Sequence, residues 1–150
     1  TYPAVYRGIL NFFGDIWTFI RDVVIINRNA NYNSVYLLKK GVNHSDITID
    51  NIQDKCYFIG DQANTSNFIT EFDFRFGPYF VPNKVGTNKK ADYNWIRGND
   101  GQDTDKAIRV LLLGGRAASG SAAGSGCFNS PWVRSDSYAL VGFFTTVKLD

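Results

Sequence analysis

The chain has 150 residues, enough for one domain with a real core, and its 44% apolar and 20% charged content exclude a disordered chain. A net charge of +2 with no Lys/Arg stripe gives a nucleic-acid partner no electrostatic footing. The longest apolar stretches, IWTFIRDVVII and RVLLLGG, are too short or too interrupted for membrane insertion.

In chain order, TYPAVYRGIL opens without an initiator Met and without a signal-peptide pattern, which reads as a processed or excised piece of a longer protein. YPAVYRGIL begins as a short extended segment. NFFGDIWTFIRDVV places Ile16, Phe19, Ile20, Val23 and Val24 at a spacing that predicts a helix, with Asn11 or Asp15 as its cap. INRNANYNS reads as a polar loop and SVYLLKK as a short strand. GVNHSDITIDNIQDK reads as turn, loop and a short helix, and CYFIGDQ as another strand.

TEFDFRF alternates Phe72, Phe74 and Phe76 with Glu71, Asp73 and Arg75, which predicts three aromatics on one face of a strand and three charges on the other. Pro78 and Pro82 in GPYFVP are expected to limit further pairing. NKVGTNKKADYN and WIRGNDGQDTDKA read as polar loops. IRVLLL is a buried strand ended by GG, and YALVGFFTTVKL is the last strand. By residues alone the class is α+β, with much irregular chain.

Signatures of chemistry are sparse. GGRAASGSAAGSG has no GK[ST] and no strand-to-helix GxGxxG, so it is not a phosphate cradle. His44 is the single histidine and reads as a solvated loop residue, which leaves Ser and Cys nucleophiles without another imidazole base. Cys56 and Cys127 have no metal-site spacing, and both one disulfide and two free thiols stay open. Asp100, Asp103 and Asp105 cluster in GNDGQDTD, but off the EF-hand spacing, so a solvated turn is the expectation. No cofactor and no metal are expected.

GGRAASGSAAGSGCFNSPWVRSDSY, residues 114–138, has the composition of a linker, yet it precedes a final strand and contains Phe128, Trp132 and Tyr138. Stiff aromatics among Ser, Gly and Asn are the composition of binding loops.

Three motifs in order carry a resemblance. GDIWTF at 14–19 resembles the GNVWEW signature, RVLLLGG at 109–115 the RVxRGGSW strand, and VGFF at 141–144 the closing IGFR of the C-type-lectin-like fold in its formylglycine-generating-enzyme form. YRGILNFFGDIW, FVPNKVG, ADYNW and the long stretch from RVLLLGG to VGFF together resemble one branch. It comprises phage tail and fibre proteins whose C-terminal segment is the variable region of a diversity-generating retroelement. Leu10 stands where that branch usually carries an acidic residue, Ala117 where it carries Trp, and Phe144 where it carries Arg.

The resemblance implies an α+β, C-type-lectin-like fold with short antiparallel strands, one or two helices and long loops. It implies one ligand-binding domain over residues 1–150 with a variable region at 109–144. The implied ligand-binding positions are Arg116, Ala118, Ser119, Ser121, Ala122 and Ser125, then Pro131, Trp132, Arg134, Asp136, Tyr138 and Leu140. The implied function is host-cell attachment by a virion appendage, acting on a host-cell surface protein or glycan. The chain would act as a homotrimer among other appendage subunits, without catalysis. Enzymatic relatives need a cysteine pair near the C-terminus, and only Cys127 lies there. The alternative is a virion decoration or assembly domain using the same surface, with Phe128 and Trp132 as subunit anchors.

Overall fold

The computed structural model describes residues 5–6, 9–10, 17–75, 80–89, 91–96, 107–114, 124–130 and 141–145. Its longest element is β3, Trp17–Asn27, which occupies most of the segment whose spacing predicts a helix. The helix expectation is therefore corrected over 17–24, and the loop expected at INRNANYNS shrinks to 28–31, since β3 runs to Asn27 and β4 starts at Tyr32. The physical reason lies in VVII: four consecutive β-branched residues favour an extended backbone, and here both faces of the strand are covered. Val23 and Ile25 enter one core while Val24 and Ile26 enter another.

Around β3 the described strands form one nine-stranded, mostly antiparallel sheet. On one side lies β4, Tyr32–Leu38, then β5, Cys56–Ala63. On the other lies β9, Ile108–Gly114, followed by β10, Gly124–Asn129, and β8, Tyr93–Trp95. Then come β6, Asn67–Asp73, and β7, Val81–Gly86. β11, Val141–Thr145, runs parallel to the first half of β3, and β10 runs parallel to β8. Two short strands, β1 at Val5–Tyr6 and β2 at Ile9–Leu10, pair separately.

β3 changes neighbours along its length. Trp17, Phe19 and Ile20 pair with β11, whereas Val23 to Asn27 pair with β4. At the changeover Arg21, Asp22 and Val23 bulge away from β9, since Ile20 faces Leu111 and Val24 faces Val110.

The sheet curls until its ends meet. Asn83 Nδ2 on β7 donates to the Asp61 carbonyl on β5 at 3.3 Å. Inside the curl Ile20, Val23, Ile25, Val35, Leu37, Ile59, Val81, Leu111 and Phe128 form the inner core. The outer face of β3, β4 and β5 is covered by residues 39–55, whose Ile47 and Ile52 pack on Val24, Ile26, Leu38 and Cys56. That cover holds a 3-10 turn at His44–Asp46 and a four-residue helix, α1, at Ile52–Lys55. Asn51 pins it: its Oδ1 accepts from the Thr48 N–H at 2.8 Å and its Nδ2 donates to the Asp46 carbonyl at 2.8 Å. The fold is thus mostly β with little helix among the described residues.

Other expectations shift in detail. SVYLLKK and CYFIGDQ form β4 and β5, and IRVLLL forms β9. Pairing continues through Pro82, which stands opposite Phe72 in β7; this strand ends the ladder order, where a missing N–H is tolerated. Part of NKVGTNKKADYN is strand rather than loop, in β7 and β8. The alternation of TEFDFRF stops at Asp73, and Phe74 stands 63% exposed. Phe76, Asp100, Asp103 and Asp105 lie outside the described residues.

Candidate functional site

The two stretches expected to carry a binding surface are bounded by paired strands. Gly124, the first residue of β10, stands opposite Gly114, the last of β9. Leu113 faces Phe128 on one side and Thr18 on the other, and Val141, which opens β11, faces Trp17. The start and end of 115–123 and the end of 131–140 therefore fall within about one residue of a common row across β11, β3, β9 and β10, at one end of the sheet.

Ser125 lies in β10. Because Gly114 faces Gly124 and Leu113 faces Phe128, Ser125, Gly126 and Cys127 form a three-residue bulge opposite no β9 residue. Arg116, Ala118, Ser119, Ser121 and Ala122 lie outside the described residues, as do Pro131, Trp132, Arg134, Asp136, Tyr138 and Leu140. Phe128 is corrected: it is buried in the inner core and is no surface anchor.

From the opposite end of β3 runs a set of buried amides that sequence reading missed. Asn27 faces Asn33 across β3 and β4, and Asn33 faces Gln62 across β4 and β5, so the three share one row. Asn27 Nδ2 donates to Asn33 Oδ1 at 2.8 Å, and Asn33 Nδ2 to Gln62 Oε1 at 3.1 Å. Gln62 Nε2 crosses the interior to donate to Asn94 Oδ1 on β8 at 2.8 Å. Asn94 Nδ2 donates to the Ala63 and Thr65 carbonyls at 2.9 and 3.0 Å. Ser130, the residue after β10, donates its hydroxyl to Gln62 Oε1 at 2.9 Å and its N–H to the Trp95 carbonyl at 2.9 Å.

Asn27, Asn33, Gln62, Asn94 and Ser130 are all fully buried. Away from water such groups favour partners, each bond adding about 0.5–1.5 kcal/mol net, and Asn27 Oδ1 is the one side-chain atom of these amides with no partner among the described residues. The signal available in sequence was an amide inside or beside an apolar strand run: VVIIN, NSVYLL, YFIGDQA, YNW.

The titratable groups sit elsewhere. Cys56, a free thiol in the outer core, is pushed up to about 11 by burial, with Lys39 pulling the other way, so it stays protonated near neutral pH. Asp61 is raised above the usual carboxylate value, chiefly by burial and opposed by Arg75. His44 is half-buried in the 3-10 turn rather than solvated in a loop. Among the described residues no three His, Cys, Asp or Glu gather as a metal site, and no helix is long and apolar enough to cross a membrane.

A separate surface feature is a cluster of three phenylalanines around the β6–β7 connection. Phe72 and Phe80 meet edge to face with centroids 5.3 Å apart, and Phe74 lies 6.0 Å from Phe72. Ion pairs flank them: Lys84 with Glu71 at 3.0 Å, and Arg75 with Asp73 at 3.2 Å.

No protein-family model, curated protein or solved structure matches the chain. Fold and site together define a mostly antiparallel β domain in which both boundaries of 115–123 and the end of 131–140 meet at one end of a curled sheet, while a buried amide row starts from the other end of β3.

Proposed function

We propose that the chain is a non-catalytic ligand-binding domain of a phage tail or fibre protein, with a C-type-lectin-like fold. Its binding surface is carried by Arg116, Ala118, Ser119, Ser121, Ala122, Ser125, Pro131, Trp132, Arg134, Asp136, Tyr138 and Leu140. In this reading those positions are diversified, the ligand is a host-cell surface protein or glycan, and a homotrimer on the virion multiplies a modest single-site affinity.

One observation supports the reading above the others: Gly114, Gly124 and Val141, which bound the two stretches, lie near one row of paired strands. Stretches rooted together on a sheet that does not change can vary in side chain without disturbing the core. That is the division of labour a recognition surface needs.

The test is attachment of the fluorescently labelled chain to a panel of candidate host cells. It is compared with a variant carrying Ser at Arg116, Trp132, Arg134, Asp136 and Tyr138. Saturable attachment by the native chain, lost in a variant with an unchanged circular dichroism spectrum, is expected. Equal attachment by both would remove these residues from the binding surface. Assembly with other appendage subunits, blocked by the same five substitutions, would move the reading to a decoration or assembly domain.

A further inference from the structure

The phenylalanine cluster of β6 and β7 belongs to neither core, and none of its residues falls within 115–123 or 131–140. Phe74 is 63% exposed and Phe80 45% exposed, with Phe72 half-buried beside both. The three ring centroids lie 5.3, 6.0 and 6.3 Å apart, and no pair stacks face to face. A ring face left open carries partial negative charge and attracts polarised C–H bonds.

The charges at the rim are paired with one another. Lys84 meets Glu71 at 3.0 Å and Arg75 meets Asp73 at 3.2 Å, so these pairs offer donors and acceptors without adding net charge. Arg75 is ordered before any ligand arrives. Its N–H donates to Asp73 Oδ1 at 2.9 Å and its guanidinium lies 5.6 Å from the Phe58 ring centroid, while its side chain stays 53% exposed. A guanidinium held in this way keeps donors for a hydroxyl and loses little side-chain freedom in using them.

The size of the patch decides between partners. Taking roughly 200 Å² for a whole phenylalanine side chain, the open parts of Phe74 and Phe80 together come to about 200 Å². A stable protein–protein contact needs about 800 Å² on each side, so this patch suits a ligand of one ring. We propose that Phe72, Phe74, Phe80 and Arg75 form a binding site for an uncharged hexopyranose unit of a glycan. The sugar lays its C–H face on Phe74 and Phe80, and its hydroxyls reach Arg75 and the Lys84–Glu71 pair. A β-galactoside fits best, because its axial hydroxyl leaves three ring C–H bonds together on the opposite side. The site stands whether or not residues 115–123 and 131–140 vary.

The test is saturation-transfer NMR on the full chain with methyl β-D-galactopyranoside at millimolar concentration. Transfer is expected to be stronger to the three C–H protons of that face than to the methoxyl group. It should fall about fivefold in Phe74→Ser and in Arg75→Gln, the factor that one ring contact or one hydrogen bond represents. Both side chains are exposed, so an unchanged circular dichroism spectrum is expected for each variant. Tyr57→Ser removes an exposed ring outside the cluster and should leave transfer at the native level. No transfer to the native chain, native transfer in Phe74→Ser, or an equal loss in Tyr57→Ser overturns the proposal. Sedimentation of the native chain as a dimer that Phe74→Ser turns into a monomer also overturns it, by making the cluster a contact between copies of the chain.

Discussion

A side-chain carbon placed at Gly60 would lie 3.2 Å from Val81 Cγ2 and 3.1 Å from Asp73 Oδ2. This is the seam where β5 meets β7 and the curl of the sheet closes. Gly60→Ala should cost about 1–3 kcal/mol, through overpacking against buried Val81 and through a φ of 158° that strains a side chain. Urea unfolding followed by tryptophan fluorescence checks it, and an unchanged midpoint would mean the seam yields.

At Gly41 the effect is conformational instead. Its φ of 81° is a backbone state that L-residues disfavour, and nothing lies within 4 Å of a side-chain carbon there. Gly41→Ala is therefore expected to destabilise by about 1 kcal/mol from backbone strain alone, and Gly41→Asn by less, since Asn tolerates that region better. Equal losses in the two variants would argue against the strain account.

Gln62→Glu keeps the shape and changes one group from donor to acceptor. The new oxygen would face Asn94 Oδ1, and Asn94 cannot turn because its nitrogen serves the Ala63 and Thr65 carbonyls. The carboxyl must then stay protonated in the folded chain, with a folded pKa above its unfolded value. Stability of this variant should be highest below about pH 4.3, the unfolded value, and fall as pH rises through the folded value. Near neutral pH the loss should reach about 3–5 kcal/mol, as for an unpaired buried charge. A flat pH profile would show that the buried amides reorganise.

The Cys56 thiol, raised to about 11 by burial, should react with alkylating agents at the rate of global unfolding rather than of a free thiol. In a Cys127→Ser background, iodoacetamide labelling with and without urea measures this. The raised value also means that the folded state gains from the protonated thiol up to the unfolded value near 9, and that this gain is lost as pH climbs towards 11. Rapid labelling of the folded chain would place Cys56 outside the core.

Phe74 contributes little to stability and much to surface character. It is 63% exposed and Phe80 is 45% exposed. Phe74→Ser should shift stability by less than about 1 kcal/mol. It should also shorten retention on a phenyl column, because it breaks up an exposed apolar patch.

How much of this was legible in the sequence follows from how each strand is buried. SVYLLKK and CYFIGDQ were short β-branched or aromatic runs bounded by polar residues, and they supply most of β4 and β5. β3 hid itself: with Val23 and Ile25 in one core and Val24 and Ile26 in the other, it has no polar face to give a period of two. Its apolar residues then fell by chance on a helical spacing, while the β-branched run VVII carried the correct signal. Asn27 and Asn33 read as loop residues because amides favour turns. Only the pairing of three strands shows that they face one another and Gln62 in a dry interior. Ser130 carried no signal at all, since its partner is far away in sequence.

The parallel pairing of β11 with β3 has a consequence for synthesis. β11 is encoded after both stretches proposed to vary, and it fills the place beside Trp17, Phe19 and Ile20 that no other described strand takes. A chain that loses its reading frame anywhere between 115 and 140 never makes VGFF and leaves that flank of β3 bare. Such a product would leave unpaired the backbone edge at Trp17, Phe19 and Ile20 that β11 otherwise covers, an open strand edge of the kind that proteases and chaperones recognise.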